Sequence, residues 1–496
     1  MDSHREGAVL QDKPTAPSDH AAAAGRNTLA LLLSRLAISV MGWAGTVLIA
    51  RLLSPTDWGV FSFVFGLLGM MSIITDLGVG RVVLARLLDE DSDPETFASS
   101  FVALRAVLGL LGYGIAVGYV VLMGYSGDVI RATAIAGLVV VIATPSNALS
   151  VLYQSRMKMV TVATAEALAQ LLQLGLTILA ATTHPGLLIF ILPAIANEIF
   201  SGVWKLVGVR RGSVGPRITR RPRLRHWREM LVEAIPLSIG LGMMTLLSKV
   251  DVLMLGKLDE FDSVGLYSVA YKFADVMSYA VVAILTPVAT LLVAAWPLLH
   301  SEFRRHVRTA AITVAVLTSV AALGMWASGR EIVALLYGQR FGESADAAWM
   351  LLVGAVFAAL TQVVLVALIS AGRHRVYPWV AFGALLLNIV LNIVLIPHFS
   401  YNGAAAATVL TEVLMFVAMW VLAARTLPVD RLLPAGKLAL IAVITVAVSA
   451  ATWALDGQVP WLVNAVCAVV LFLAGAFLTR VLDWRLLTKL RPRKAV

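Results

Sequence analysis

The sequence predicts an all-α integral membrane protein with about 14 transmembrane helices, arranged as two six-helix lobes in parallel repeat plus two extra C-terminal helices. Of its 496 residues, 59% are hydrophobic and only 14% are charged, and the mean hydropathy is +0.87. A soluble protein of this size could not cover so much apolar surface with so few charges. Many apolar runs reach the length of a membrane span, and one short pattern recurs 206 residues further along the chain.

The apolar runs predict the helices in chain order, each reaching the roughly 20 residues that a membrane span needs. They cover residues 28–51, 59–80, 97–123, 131–152, 161–181, 187–208, 230–256, 264–296, 309–328, 347–370, 376–396, 402–424, 435–455 and 459–482. The residues before the first run are polar and predict a mobile tail.

The repeated pattern lies where the first and the seventh predicted helices end. Arg51 is followed by a polar turn and residues 58–62 (WGVFS), and Lys257 is followed by a polar turn and residues 264–268 (VGLYS). A parallel repeat in an apolar chain is typical of transporters, in which two similar lobes enclose a site. We interpret the matched cations as interfacial anchors, and we expect the charges that the repeat does not match to carry the function.

The basic residues sort to one side of the predicted membrane. The segment after the sixth helix and the C-terminal tail are rich in arginine and lysine. The outer segments hold only Arg51, Arg131, Lys257, Arg330 and Arg340. This asymmetry predicts a multi-pass membrane protein with both termini in the cytoplasm. It also explains the net charge of +10 without nucleic acid.

The same charge pattern divides the chain. We predict a mobile cytoplasmic tail (1–27), an N-lobe of helices one to six (28–208), a basic cytoplasmic linker (209–229), a C-lobe of helices seven to twelve (230–425), and helices thirteen and fourteen with a basic cytoplasmic tail (426–496).

Three cations lie within apolar runs near the predicted interface of the lobes: Arg35, Lys249 and Lys272. A charge near the centre of a membrane helix costs roughly 2.5–3.5 kcal/mol, so such residues face the bundle interior or a water-filled cavity. Cations there would bind an anionic substrate, above all a phosphate or diphosphate. Internal salt bridges are the alternative, and Lys272 could pair with Asp275 three residues on.

Other charges in the predicted membrane suit structural pairs. We expect Glu198 to pair with Arg105 across the N-lobe. Lys205 and Asp76 lie near the ends of their helices, where they can reach the interface. Glu166 lies on one helix with two glutamines and suits either a cavity wall or a clamp between helices.

The eleventh predicted helix carries two amides four residues apart. Asn388 and Asn392 therefore project from one helix face. Hydrogen bonds between helices explain them simply. The sharper interpretation is a cation site shared with Asp251 and Thr408, because hard cations take carboxylate, amide and hydroxyl oxygens.

Several segments, in this order and spacing, resemble the Wzx-type polysaccharide and O-antigen flippases. These are residues 51–61 (RLLSPTDWGVF), 76–80 (DLGVG), 251–256 (DVLMLG), 264–272 (VGLYSVAYK), 391–397 (LNIVLIP) and 402–408 (NGAAAAT). Such flippases form the polysaccharide biosynthesis transporter family of the multidrug/oligosaccharidyl-lipid/polysaccharide exporter superfamily. The similarity runs from Thr28 to Arg425.

The resemblance implies a cation-lined cavity that carries an undecaprenyl-diphosphate-linked glycan across the inner membrane by alternating access. The related lipid II flippases hold sodium in the C-lobe, and Asp251, Asn388, Asn392 and Thr408 look equivalent to the residues that do so. This sequence has Asn392 where an acid would strengthen such a site. The coupling ion, sodium or proton, is left open, and no other cofactor or firm metal site is expected.

Two other classes of function remain as alternatives. A drug/cation antiporter of the same superfamily would line its cleft with acids and aromatic residues. A membrane enzyme would need catalytic residues on sizeable outer loops, and the outer loops here are short, so no enzyme is expected. The expected partners are the lipid-linked glycan and membrane lipids, together with a glycan polymerase and a chain-length regulator by pathway logic. We expect a monomer.

Overall fold

The computed structural model describes residues 37–76, 78–87, 94–212, 216, 218–219, 222–429 and 431–482, and every regular element within them is a helix. The α-helices are α1 (Ala37–Leu52), α2 (Pro55–Asp76), α3 (Val79–Leu87), α4 (Pro94–Leu122), α5 (Gly127–Ser155), α6 (Met159–Thr183), α7 (Leu187–Arg210), α8 (Leu224–Leu258), α9 (Phe261–Ala295), α10 (His300–Tyr337), α11 (Ser344–Ser370), α12 (Tyr377–Thr426), α13 (Ala435–Leu455) and α14 (Trp461–Leu478). Short 3-10 helices cover Gln339–Phe341 and His374–Val376. The predicted all-α membrane fold is confirmed.

Eleven of these helices are long and apolar enough to cross a membrane, so the chain is a multi-pass membrane protein. α12 accounts for two predicted spans. The eleven helices thus account for twelve of the fourteen predicted spans. The remaining two predicted spans correspond to α1, described only from Ala37, and to α8, whose first turns carry charges. The short helix α3 is an addition, because nine residues with two arginines give no apolar run. We call the side that the charge pattern predicts to be cytoplasmic the inner side, and the opposite side the outer side.

α12 consists of two antiparallel arms, residues 377–399 and 401–426. The chain reverses at Ser400, whose φ of 55° is left-handed. The Ser400 hydroxyl donates to Asp259 Oδ2 at 2.5 Å, and a Cβ on Gly403 would lie 2.3 Å from the Leu395 carbonyl oxygen. The tight reversal brings both arms to the same stretch of α8, which places their polar residues together.

The two predicted lobes share a hydrophobic core. α2 packs against α8 and α9, and one cluster of buried residues includes Phe63 and Leu67 of α2 with Leu255 of α8 and Tyr267 of α9. A second cluster contains buried residues of α9, α10, α11 and α12 together with residues of α13 and α14. Both of these last helices pack against α10. The predicted boundaries between the lobes stay a prediction.

Candidate functional site

A polar cavity of about 310 Å³ lies at the centre of the bundle. Six helices line it: α1, α2, α6 and α7 from the predicted N-lobe, and α8 and α9 from the C-lobe. We call it the central cavity. Trp58, Phe61 and Phe190 belong to its lining and come from the outer ends of their helices. Both halves of the repeat therefore contribute walls, as expected for a site enclosed by two lobes.

Two of the three predicted substrate-binding cations line the central cavity. Lys249 projects from α8, with its Nζ 6.0 Å from the centre of the Tyr271 ring, and Lys272 projects from α9. Asp275 lines the same wall, yet none of the ion pairs among the described residues involves any of these three charged side chains. The described wall thus presents two cations against one carboxylate. The third predicted cation, Arg35, lies outside the described residues.

Neutral amides from the predicted N-lobe also line the cavity. Gln170 and Gln173 of α6 line the cavity, and Asn197 Nδ2 of α7 donates to Gln173 Oε1 at 2.7 Å and to Gln170 Oε1 at 3.4 Å. The hydroxyl of Ser268, which also lines the cavity, has no hydrogen-bond partner among the described residues. Amides, a hydroxyl and two cations around one cavity suit a ligand with both negative charge and hydroxyl groups.

The remaining intramembrane cations are paired outside the central cavity. Arg105 donates to Asp76 Oδ1 at 2.7 Å and to the Thr75 carbonyl oxygen, so the expected pair with Glu198 is wrong. Lys205 is only 2% exposed and lies 3.4 Å from Glu166 Oε1, so it does not reach the interface as expected. These cations have carboxylate partners, which sets them apart from Lys249 and Lys272.

The four residues predicted to share a cation site lie together in the C-lobe. Asp251 Oδ2 accepts hydrogen bonds from Thr408 Oγ1 at 2.7 Å and from the Tyr267 hydroxyl at 2.8 Å. Asp251 Oδ1 accepts from Asn392 Nδ2 at 2.8 Å, and the same nitrogen donates to Asn388 Oδ1 at 3.0 Å. Asp251, Asn388 and Asn392 are each at most 4% exposed. Several hydrogen-bond donors around a buried carboxylate offset the free-energy cost of burying its charge.

One atom of this cluster is unsatisfied. Asn392 Oδ1 is buried and has no hydrogen-bond partner among the described residues, while its amide nitrogen lies between an oxygen of Asp251 and an oxygen of Asn388. Rotation of this amide would replace the donor by a third oxygen. The cluster therefore offers one carboxylate with neutral amide and hydroxyl oxygens, which are the ligands that hard cations take.

A second polar cavity of about 210 Å³ adjoins the cluster. Asn388 and Thr408 line it, and so does the acid Glu412 from the second arm of α12. Ser248 and Tyr271 line both this cavity and the central cavity. These two side chains of α8 and α9 therefore lie between the central cavity and the cavity that Glu412 lines.

Sequence reasoning missed Tyr267 as a member of the cluster. The repeat aligns Tyr267 with Phe61, so the hydroxyl is the one chemical difference between two equivalent rings. That hydroxyl donates to Asp251. A comparison of the two repeats, position by position, would have singled it out.

The outer side is sealed by the repeat-related ends of α2 and α9. A Cβ on Gly59 would lie 1.8 Å from the Phe261 carbonyl oxygen, and one on Gly265 would lie 2.2 Å from the Pro55 carbonyl oxygen. Thr56 Oγ1 donates to Asp262 Oδ1, and these two residues are themselves 206 apart. Glycine at both crossing positions is what lets the two backbones meet.

The two matched cations of the repeat, Arg51 and Lys257, also make contacts between the lobes at the outer side. Arg51 of α1 donates to the Leu336 carbonyl oxygen at 2.6 Å and to the Leu335 carbonyl oxygen, near the C-terminal end of α10. Lys257 of α8 donates to the Met123 carbonyl oxygen at 3.0 Å, just past the end of α4. Each cation satisfies carbonyls at a helix C-terminus in the opposite predicted lobe. Beyond the interfacial anchoring that the sequence suggests, both residues therefore tie the lobes together.

Comparisons with known families and known proteins give one family match for this chain. A family model described as "Polysaccharide biosynthesis protein" matches residues 24–292. No curated protein gives a significant match.

Several solved structures share the fold. "Lipid II flippase MurJ, inward closed conformation" superposes with a TM-score of 0.73 at 14% identity, covering 92% of this chain and 98% of that one. An inward-facing multidrug resistance MATE family transporter of the MOP superfamily gives 0.61 at 13% identity, covering 78% and 94%. A MOP superfamily transporter from Pyrococcus furiosus gives 0.54 at 13% identity, covering 81% and 94%. The predicted superfamily fold is confirmed.

Proposed function

The chain belongs to the polysaccharide biosynthesis protein family, and from this premise we propose that it flips an undecaprenyl-diphosphate-linked oligosaccharide across the bacterial inner membrane. The family and the fold support a lipid-linked flippase or a related transporter of the superfamily. The substrate class and the transport mechanism are our proposals, which go beyond the family and the fold.

The observation that carries the proposal is the pair of lysines in the central cavity. Lys249 and Lys272 face a shared cavity without an ion pair among the described residues, whereas Arg105 and Lys205 each have a carboxylate partner. Asp275 is the one carboxylate on this wall, so two lysines leave net positive charge inside the bundle, and intramembrane charge of this kind marks substrate pathways. A diphosphate supplies the compensating charge and accepts several charge-assisted hydrogen bonds.

The size of the cavity defines what part of the substrate it holds. Its volume of about 310 Å³ corresponds to roughly ten water molecules at about 30 Å³ each. That volume suits the diphosphate and an adjoining sugar, with the amides of Gln170 and Gln173 available to sugar hydroxyls. The polyprenyl chain and the distal sugars would then remain outside the cavity.

Transport requires that the seal on the outer side opens. The Gly59–Gly265 crossing and the bonds of Thr56, Arg51 and Lys257 must separate for the cavity to reach that side. On the inner side, Arg86 of α3 forms an ion pair with Glu233 of α8. We propose that rocking of the lobes alternately breaks these two sets of contacts.

A deletion strain tests the substrate class. We expect loss of the chain to accumulate the lipid-linked oligosaccharide on the cytoplasmic leaflet and to abolish surface glycan, and we expect a plasmid copy to restore both. The measurement is the glycan on the cell surface together with extracted polyprenyl-linked intermediates. Normal surface glycan in the deletion strain, combined with raised sensitivity to cationic dyes, would instead assign the chain to drug/cation antiport.

We propose further that a monovalent cation bound at Asp251 with Asn388, Asn392 and Thr408 couples to this movement. The cluster lies across Ser248 and Tyr271 from the central cavity, so binding there is positioned to bias the helices that carry Lys249 and Lys272. A ligand drives a conformational change only through different affinities for the two states.

Replacing the carboxylate gives the corresponding prediction. We expect Asp251→Asn to lower the apparent affinity of transport for sodium by about tenfold or more, since each 1.4 kcal/mol of binding free energy is a factor of ten. The measurement is flipping rate against sodium concentration in proteoliposomes at constant pH. Asp128→Asn, at an exposed residue that pairs with Arg131, is the matched control and should leave the curve unchanged. An unchanged sodium dependence in Asp251→Asn would refute the site.

A further inference from the structure

A strongly basic pocket lies between α10 and α13 on the inner side, apart from the central cavity. Its volume is about 600 Å³, and Arg304, Arg305, Arg308 and Lys437 line it. No acidic residue lines it among the described part of the chain. The nearest acid along α10, Glu302, forms an ion pair with Arg305 at 2.9 Å. Four cations thus converge on one pocket at a membrane interface, and such a cluster attracts an anionic headgroup.

The fold holds these cations in place. Arg304 and Arg308 are four residues apart on α10 and therefore lie on one helix face. Lys437 Nζ donates to the carbonyl oxygens of Arg480 at 2.9 Å and Val481 at 3.3 Å, which fixes the ammonium group at the pocket wall. An ammonium group has three donors, so one remains for a ligand. Pro434 and Gly436, at the start of α13, complete the pocket and add the positive end of that helix.

The same two helices continue from the pocket into an apolar groove. The groove has a volume of about 640 Å³ and includes Ala315 and Leu323 of α10 with Leu438 and Ala442 of α13. At its far end Trp326 Nε1 donates to the Ser449 carbonyl oxygen at 3.0 Å. From Ala315 to Trp326 a helix rises about 16 Å, which is close to half of the roughly 30 Å hydrocarbon core. The groove therefore has the length of one acyl chain in one leaflet.

We propose that the seam between α10 and α13 binds an anionic glycerophospholipid, with its phosphate in the basic pocket and an acyl chain in the groove. The two cavities are continuous along both helices, since Ile312 lines the first and Ala315 the second, and Lys437 is followed by Leu438. Neither shares a lining residue with the central cavity. The occupant is accordingly a lipid that stays in its own leaflet, and it stabilises the packing of α13 against α10.

Lipid retention by the purified full-length protein tests this site. The protein is reconstituted in bilayers of equal parts phosphatidylglycerol and phosphatidylcholine, extracted, and examined by native mass spectrometry. We expect retained phosphatidylglycerol on the wild type and at least a tenfold lower retention on Arg304→Ala/Arg308→Ala. Arg225→Ala/Arg228→Ala removes two arginines from the start of α8 on the same side and should retain lipid like the wild type.

A second variant separates a lipid from a free anion. Ala442→Trp fills the exposed groove without changing charge, and we expect it to lose the phospholipid as well. Wild-type retention by Arg304→Ala/Arg308→Ala would overturn the proposal. So would normal retention by Ala442→Trp, or displacement of the lipid by inorganic phosphate at millimolar concentration, because either would leave only a phosphate site. Displacement by a polyprenyl diphosphate would overturn it in favour of the transported substrate.

Discussion

Replacing Lys249 and Lys272 together with alanine is expected to lower glycan export by about two orders of magnitude or more. A hydrogen bond to a charged group contributes roughly 1.5–3 kcal/mol, so loss of two such bonds to a diphosphate corresponds to a factor of about 10² to 10⁴ in affinity. The readout is surface glycan in the complemented deletion strain and flipping rate in proteoliposomes.

The double variant should still fold. Removing the two charges relieves their own desolvation cost and breaks no ion pair among the described residues, but it leaves Asp275 of the same wall without its two neighbouring cations. Membrane abundance and a monodisperse profile in detergent check this point. Lys249→Arg keeps the charge and should retain more export than Lys249→Ala, and Lys158→Ala, at an exposed lysine between α5 and α6, should export normally. Full export by the double variant would refute the cationic cavity.

Linking α2 to α9 at the outer side is expected to stop transport altogether. Thr56 and Asp262 are within hydrogen-bond distance and belong to opposite predicted lobes, so a covalent bridge there holds the seal closed. The native chain has a single cysteine, Cys467, so Thr56→Cys/Asp262→Cys in a Cys467→Ser background gives one defined pair. Oxidation should abolish flipping in proteoliposomes, and reduction should restore it.

Each single cysteine variant is the control for the oxidant and should be insensitive to it. Normal flipping with the bridge shown to be complete would mean that the outer side opens elsewhere. This result would contradict the role given to the α2–α9 seal while leaving the substrate proposal intact, since Lys249 and Lys272 do not belong to the seal.

Forcing the same seal apart should have the opposite effect on accessibility. Gly59→Ala places a Cβ 1.8 Å from the Phe261 carbonyl oxygen, so the two helix ends cannot close. In the cysteine-free background, a reporter at Ser62→Cys in the central cavity should then react faster with an impermeant maleimide added outside. Gly114→Ala, where a Cβ would meet nothing within 4 Å, should leave the labelling rate unchanged.

The helices could be predicted because membrane spans follow from length and apolarity alone. The predicted helix boundaries are less accurate where backbone conformation, rather than apolarity, determines where a helix ends. The ninth predicted span ends at residue 328, where Ser328 has non-helical angles (φ −155°, ψ 33°), but the chain resumes a helix beyond this kink and continues to Tyr337. The two arms of α12 meet at a left-handed serine that no apolar run reveals.

The polar clusters differ in how much of each could be predicted from the sequence. The grouping of Asp251, Asn388, Asn392 and Thr408 came from the spacing of the two amides and the chemistry of oxygen ligands, with added support from a family resemblance. The four residues lie within one hydrogen-bonded cluster. The partner of Arg105 could not be found in this way. Asp76 and Glu198 both lie on apolar helices, and only the packing of α2 against α4 decides between them.

The contact between Thr56 and Asp262 also bears on how such a chain arose. In a symmetric dimer of single lobes, the equivalent positions would carry one residue type and would face their own copies across the axis. Two aspartates there would repel each other, and two threonines would offer no charged acceptor. Duplication within one polypeptide lets one copy become the donor and the other the acceptor. The Thr56–Asp262 bond is therefore the asymmetric part of the outer seal, whereas the Gly59–Gly265 crossing keeps the same residue in both repeats.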